Sequence, residues 1–487
     1  MTDAEAAQRR KWLALALLAT TQFVIVLDAA IVNVAIPSIG QDLRFSEEDL
    51  TWIPNAYALT FGGFLLLGGR MADLLGRRRL FMVGLVLFSL ASLLGGMATS
   101  ETQLIAARAL QGLGAALLAP SALSMVTNMF AEGAERNKAL GVWGAVSGSG
   151  GAAGVLLGGV LTEYLGWEWV LWVNVPIGVI AAILAPRLLV ESRRETDLRH
   201  FDALGAVTIT AGLSLLVFAL VDTINEGWGS TQTLTLLAIA LALIVSFVFI
   251  ELRSRDPLMP FGIFRMRTLT GANIVGLLIG ASLFAMFFFL SRYMQEVLRY
   301  SALKAGLSYL PLALAIIASA GIASVLVTKL GFKKVLVAGL GLVTVALLWF
   351  AQVPVQGSYV SDLLGPMVVA AVGLGFAFVP VTIAAVSRVS EDESGLASGL
   401  INTSQQIGGA LGLAVLGTIA SAKTTDLMSA AGGDPAAVPG ALTEGFQLAF
   451  LTGAGFAVIG IIATLVFVRG EDSQAVIGAS PAELPAA

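Results

Sequence analysis

The chain reads as an all-α integral membrane protein: two six-helix bundles with a two-helix hairpin inserted between them. Three observations lead there. Of 487 residues, 57% are hydrophobic and only 12% charged, about half the roughly 25% charged share of an ordinary soluble protein. Apolar stretches near the ~20 residues needed to cross a bilayer recur about fourteen times. Lys and Arg gather in alternate loops, the pattern of a chain that crosses a membrane repeatedly.

The first span, 12–36, opens at Trp12 behind Arg9, Arg10 and Lys11 and carries Asp28 before Pro37. Its apolar run is too long for a secretory signal and no small-residue cleavage pattern follows, so it is expected to remain as a helix. Five more spans follow, at 51–69, 80–99, 103–128, 138–165 and 168–190. Then come two polar breaks, ESRRETDLRHFD at 191–202 and RSRDPLMPFGIFRMR at 253–267, which bracket a pair of spans at 203–222 and 232–252. The last six lie at 268–291, 303–328, 334–353, 360–386, 395–421 and 445–468.

This six, two and six arrangement implies a duplicated six-helix unit with an inserted hairpin. The expected organisation is an N-terminal bundle over 1–190, linkers at 191–202 and 253–267, the hairpin at 203–252, a C-terminal bundle over 268–469 and a disordered tail at 470–487. A weak internal repeat agrees: GRMADLLGRRRL after the second span and VTKLGFKKVL in the later half both place a glycine before a basic pair.

An even span count puts both termini on one side, and the basic residues choose which. Only Arg44, Arg292, Arg299, Lys304 and Lys423 fall on the opposite side, with Arg108 inside a span. The expected location is therefore the cell membrane, multi-pass, with both termini cytoplasmic. The lack of cysteine rules out disulfides, thiolate metal sites and cysteine nucleophiles. One histidine, His200, in a charged loop, does not build a metal site of the usual kind. Basic residues form no single stripe, so no nucleic-acid partner is expected. No G-x-x-x-x-G-K-[ST] loop is present to hold ATP, and no cofactor is implied.

The loop Gly69-Arg70-Met71-Ala72-Asp73-Leu74-Leu75-Gly76-Arg77-Arg78-Arg79 combines glycines for a tight turn, an acid that can bond a helix N-terminus and arginines that can reach a neighbouring helix. Its alternatives are a cytoplasmic latch or a simple positive-inside anchor. The stretch resembles the G-x-x-x-D-x-x-G-R-[KR]-x signature of the major facilitator superfamily. Leu27-Asp28-Ala29-Ala30-Ile31-Val32-Asn33-Val34-Ala35-Ile36-Pro37 and Leu104-Ile105-Ala106-Ala107-Arg108-Ala109-Leu110-Gln111-Gly112 resemble the first- and fourth-helix motifs of its fourteen-span drug/proton antiporters. The match covers nearly the whole chain.

One departure stands out. The antiporter motif of the fifth helix resembles G-x-x-x-G-P-x-x-G-G, and here Gly150, Gly154, Gly158 and Gly159 are kept while Val155 replaces the proline. Close helix packing survives and the proline kink is lost.

Asp28 and Arg108 are the charges set deepest in predicted spans, where charges are costly and usually functional. Helix rise puts them roughly 13 Å and 8 Å below the outer ends of their helices, within reach of each other. The proton-coupling reading makes Asp28 the carrier and Arg108 the group that tunes it: a nearby guanidinium favours the ionised carboxylate, burial away from it the protonated form. The alternative is a static pair that fixes helix packing. Asp222 and Glu251 read as interface residues, and Arg292 with Glu296 as a local pair at helical spacing.

A substrate cavity is expected from Asn33, Tyr57, Gln111, Phe284, Phe288, Asn402, Gln405 and Gln406, since uncharged amides in lipid turn inward and aromatic rings receive flat molecules or cations. Packing between helices is the competing account. The resemblance implies proton-coupled efflux of hydrophobic or cationic drugs by alternating access, as in multidrug efflux and antibiotic resistance. Its partners would be a small lipophilic substrate, protons and the bilayer. A dedicated exporter of one antibiotic or metabolite fits the same residues, whereas a membrane-embedded enzyme or receptor would need a catalytic cluster or a sizeable soluble domain, and the sequence shows neither.

Overall fold

The computed structural model describes residues 3–45, 50, 52–192, 202–254, 257–475 and 477. His200, the middle of the first linker and most of the tail lie outside them. Among the described residues, 14 helices are long and apolar enough to span a bilayer. They are α1 (Asp3–Leu43), α2 (Trp52–Leu75), α3 (Arg77–Gly96), α4 (Glu101–Met129), α5 (Ala134–Tyr164) and α6 (Trp169–Leu188, broken at Val173 between Trp169–Trp172 and Asn174–Leu188). Next come α7 (Ala203–Glu226) and α8 (Thr231–Glu251). The set closes with α9 (Arg267–Arg292), α10 (Leu310–Leu330, after a short helix Ala302–Ser308), α11 (Phe332–Phe350), α12 (Leu364–Val386), α13 (Ser394–Ala430) and α14 (Val438–Phe467).

Packing repeats with an offset of eight helices. In the first bundle α1 lies on α5, α2 and α3 on α4, and α3 on α6. In the second, α9 lies on α13, α10 and α11 on α12, and α11 on α14. The most buried spans are therefore partners: α4 and α12 each have 78% of their apolar window buried, against 17% for α8. Each of these central helices holds a buried proline, Pro120 and Pro380, and a pair of buried glycines, Gly112 and Gly114 in α4 and Gly373 and Gly375 in α12. Small residues there let neighbours approach, which is how helices associate when lipid offers no hydrophobic gain.

The bundles meet along two related seams, α2 with α13 and α5 with α10. The hairpin covers the first: α7 packs on both α2 and α13, with Gly63 directly against Ser214. Trp52 stacks on Phe218 with centroids 5.5 Å apart, and the Trp228 indole N–H donates to Thr418 Oγ1 at 2.9 Å. Local caps set the hairpin ends: Asp202 accepts from Gly205 N at 2.7 Å and Ser230 from Thr233 N at 3.1 Å.

Two expectations change here. Glu251 is buried and accepts the N–H groups of Leu258 and Met259 at 3.2 and 3.0 Å, so it orders the second linker instead of facing the interface. The tail, expected to be disordered from 470, opens with a helical turn, Gly470–Gln474. Asp472 there accepts from Thr268 Oγ1 at 2.5 Å and pairs with Arg388 at 3.1 Å, and Ser473 Oγ accepts Lys333 N at the head of α11. Composition alone misses such side-chain partners. Arg292 and Glu296 form the expected local pair at 2.7 Å.

Candidate functional site

Asp28 and Arg108 meet. The Arg108 Nη1 donates to Asp28 Oδ2 at 2.6 Å and to Gln111 Oε1 at 2.8 Å, while its Nε donates to the Ile53 carbonyl at 3.2 Å. The other carboxylate oxygen, Oδ1, accepts from Asn174 Nδ2 at 2.7 Å and Gln111 Nε2 at 3.2 Å. Gln111 also donates to Ser92 Oγ at 2.7 Å. The guanidinium lies 4.5 Å from the Tyr57 ring centroid. Asp28 and Arg108 are 0% and 1% exposed, so the charges are neutralised by each other and by fixed dipoles, not by water.

The local fold explains the meeting. Gly150, Gly154 and Gly158 form a stripe on α5 against α1: a Cβ on Gly154 would stand 2.7 Å from the Leu27 carbonyl oxygen and 2.8 Å from Ala30 Cβ. Gly159 is buried in the same stretch. This close approach fixes the depth of Asp28. The helix stays regular through Val155, the residue in place of the motif proline. Arg108 and Gln111, three residues apart on α4, share one face.

At the helix ends that carry both termini, here termed the basic face, Asp73 forms the second constellation. It is 0% exposed and accepts Arg77 at 2.9 Å and the backbone N–H groups of Gly395 and Leu396, each at 3.0 Å, at the head of α13. A carboxylate on a helix N-terminus is favoured by the helix dipole and its unsatisfied donors. Gly69 is required because a Cβ there would stand 2.5 Å from the Gly395 carbonyl oxygen, and Gly76 takes φ 107°. Glu191 caps the start of α3, accepting Arg78 N and Arg79 N at 3.1 and 3.2 Å. Ser124 Oγ and Ser394 Oγ lie 2.6 Å apart, and Asn137 Nδ2 donates to Thr328 Oγ1 at 3.0 Å across the other seam. The structure is thus closed across both seams at this face.

The expected cavity set is divided. Tyr57 and Gln111, 3% and 0% exposed, belong to the sealed network and do not line an open cavity; a polar helix face signals a polar neighbour, and here that neighbour is another side chain. Asn33 is exposed and bonds back to Ala29 O, and Asn402 bonds back to Ser398 O. Gln405 and Gln406 are half-buried, Gln406 beside Gly62 of α2. Phe284 and Phe288 are 38% and 41% exposed; Phe284 abuts Gly409, and Phe288 lies under the Arg292 guanidinium. Sequence reasoning missed Asn174 and Ser92, the remaining members of the Asp28 network. Asn174 had a signal, an amide in the apolar run WVLWVNVPIG; Ser92 had none.

Comparison with known proteins agrees with this architecture. The Major Facilitator Superfamily profile matches residues 18–413. The puromycin resistance protein pur8 of Streptomyces alboniger is 38% identical over 469 residues, covering 96% of this chain and 93% of the relative. The cephamycin export protein CmcT of Amycolatopsis lactamdurans is 42% identical over 415 residues, 85% of each. The crystal structure of the human organic anion transporter MFSD10 superposes with a TM-score of 0.65 at 15% identity, covering 95% of this chain and 100% of that one, a likeness of fold alone. The chain belongs to the major facilitator superfamily, in its fourteen-span form. Family and fold point to transport and not to catalysis.

Proposed function

We propose that this protein exports small lipophilic or cationic antibiotics in exchange for protons, by alternating access of the bundles over residues 1–190 and 268–469. Asp28 is the proton carrier. The observation that carries the reading is the dry Asp28–Arg108 pair, 2.6 Å apart and shared among α1, α4 and α6, in a chain similar to proteins named for puromycin resistance and cephamycin export. A helix movement that draws Arg108 off the carboxylate favours its protonated form, and return of the guanidinium expels the proton. Inward proton flow supplies about 2.3 kcal/mol per 100 mV of membrane potential. Asn33, Phe284, Phe288, Asn402, Gln405 and Gln406 are the proposed substrate contacts. The loop from Gly69 to Arg78 is the latch that closes the cytoplasmic side, where both termini lie.

The test is proton release from acidified inside-out vesicles on addition of puromycin, a cephamycin and several lipophilic dyes. Release with several chemically unrelated compounds supports a broad exporter. Release with a single antibiotic supports a dedicated one, a reading favoured by relatives that carry the name of one antibiotic each. Absence of proton release with compounds that are nevertheless transported would refute the coupling. Because the chain lacks cysteine, orientation is tested with single Ser254→Cys and Ser361→Cys variants. Membrane-impermeant maleimide labels Ser361→Cys in intact cells and Ser254→Cys only after lysis; the reverse result overturns the topology.

A further inference from the structure

The two seams are related by the repeat but treated differently. Helix α7 lies over α2–α13, where Leu66, Leu213 and Leu396 join one apolar cluster. Among the described residues no helix covers the α5–α10 seam, which instead holds a groove of about 720 Å³, within the roughly 300–1,000 Å³ of drug-sized sites. Its walls include Val142, Ala145, Ile317 and Val325, and Lys138 and Lys329 line it at the basic face. The two lysines directly follow Asn137 and Thr328, which are hydrogen-bonded across the seam, and among the described residues no acidic side chain lines the groove. Lys138 keeps its ammonium 4.9 Å from the Trp12 ring centroid. On α10 a continuous outward stripe runs through Leu314, Ile317, Gly321 and Val325, and a Cβ on Gly321 would meet nothing within 4 Å.

We propose that this groove binds one anionic phospholipid from the leaflet that meets the basic face, an acyl chain lying over Gly321 and the headgroup phosphate between Lys138 and Lys329. The occupant follows from charge and shape together. An apolar trough open to lipid suits a hydrocarbon chain, and two ammonium groups at headgroup depth attract a phosphate while repelling the lipophilic cations of the proposed transport cycle. The bound lipid fills the seam that lacks a hairpin. The site stands apart from the transport reading, because its occupancy is measured without transport.

The experiment is native mass spectrometry of the full chain in detergent, titrated with phosphatidylglycerol and, separately, phosphatidylcholine. Wild type is expected to retain one phosphatidylglycerol in preference to phosphatidylcholine. A lysine beside an anionic lipid headgroup contributes roughly fivefold in affinity, so K138Q/K329Q loses roughly 25-fold for phosphatidylglycerol, with phosphatidylcholine unchanged. Gly321→Phe fills the trough and removes both adducts, while its elution position and heat-inactivation midpoint stay at wild type. Equal affinity for the two lipids in wild type, or phosphatidylglycerol retained undiminished by both variants, overturns the proposal. So does binding of tetraphenylphosphonium that Gly321→Phe abolishes, which would make the groove a substrate portal.

Discussion

Replacing Asp28 by Asn separates the carrier role from a structural one. The carboxylate accepts three side-chain donors, from Arg108, Gln111 and Asn174, at 2.6, 3.2 and 2.7 Å. An asparagine keeps the shape but presents one oxygen and one NH2, so one side of the network faces donor against donor, and Arg108, 1% exposed, loses its counter-charge. Breaking a buried pair from one side costs about 3–5 kcal/mol. Asp28→Asn is therefore expected to lower the heat-inactivation midpoint and to abolish substrate-induced proton release. The double variant Asp28→Asn/Arg108→Gln removes both charges, and replacing both members of a buried pair is often close to neutral; it should regain most of the stability and none of the proton release. The assay is proton flux in acidified vesicles beside thermal inactivation of the purified protein. Proton release that returns with stability in the double variant would refute the carrier role and leave Asp28–Arg108 a packing device.

The closed basic face gives a second set of outcomes. Ser124→Cys/Ser394→Cys, on α4 and α13 at positions whose hydroxyl oxygens are 2.6 Å apart, should form a disulfide on oxidation and arrest transport until it is reduced; full cross-linking with normal transport would sink alternating access through this face. Asp73→Asn weakens charge-assisted bonds to Arg77, Gly395 and Leu396. At about 2 kcal/mol the closed-to-open ratio falls roughly thirtyfold, read as slower cross-linking of the same cysteine pair. Gly154→Leu drives a side chain into Leu27 and Ala30, an overpacking worth about 1–3 kcal/mol that displaces the segment carrying Asp28, so stability and transport both fall. Gly151→Ala, whose Cβ meets nothing within 4 Å, is the neutral control, and equal heat-inactivation midpoints for the two variants would refute the packing argument.

The span count was legible because hydrocarbon thickness sets a run length that needs no knowledge of neighbours. Helix ends were less so. α1 begins at Asp3, not near residue 12, and α13 runs on to Ala430 past Lys423 and Asp426, since charged residues continue a helix into water and hydropathy marks where lipid stops, not where the helix does. The Asp28–Arg108 meeting was readable from helix rise, because depth is a one-dimensional coordinate. What surrounds the pair was not: Gln111 and Tyr57 looked like cavity residues because a polar face carries no label for its partner. Nor does composition mark Ser473 as the cap of α11, a contact 140 residues distant in the chain. The prolines Pro120 and Pro380, one in each central helix, are a sign of duplication legible in the sequence.

The hairpin changes how the duplicated bundles can move. A pair of bundles rocking about a central site opens one face while closing the other, and both seams must tolerate the shift. At α2–α13 the contact is backbone on backbone, Gly69 against Gly395 and Gly399, and α7 rests on both helices, so opening there must slide an apolar helix across two partners. At α5–α10 the helices touch through Gly141 and Ser324, Gly148 and Ile316, and the groove beside them is the proposed seat of an anionic phospholipid. Sliding a covering helix drags apolar surface across two partners, whereas opening at α5–α10 breaks the Asn137–Thr328 hydrogen bond and parts side-chain contacts with no covering helix to carry along. The motion is therefore expected to pivot nearer the hairpin-covered seam and to be largest at α5–α10, and cysteine pairs placed across the two seams should show the greater change in separation at the uncovered one. Equal changes at both would mean that the hairpin is a passenger and that the repeat symmetry alone governs the movement.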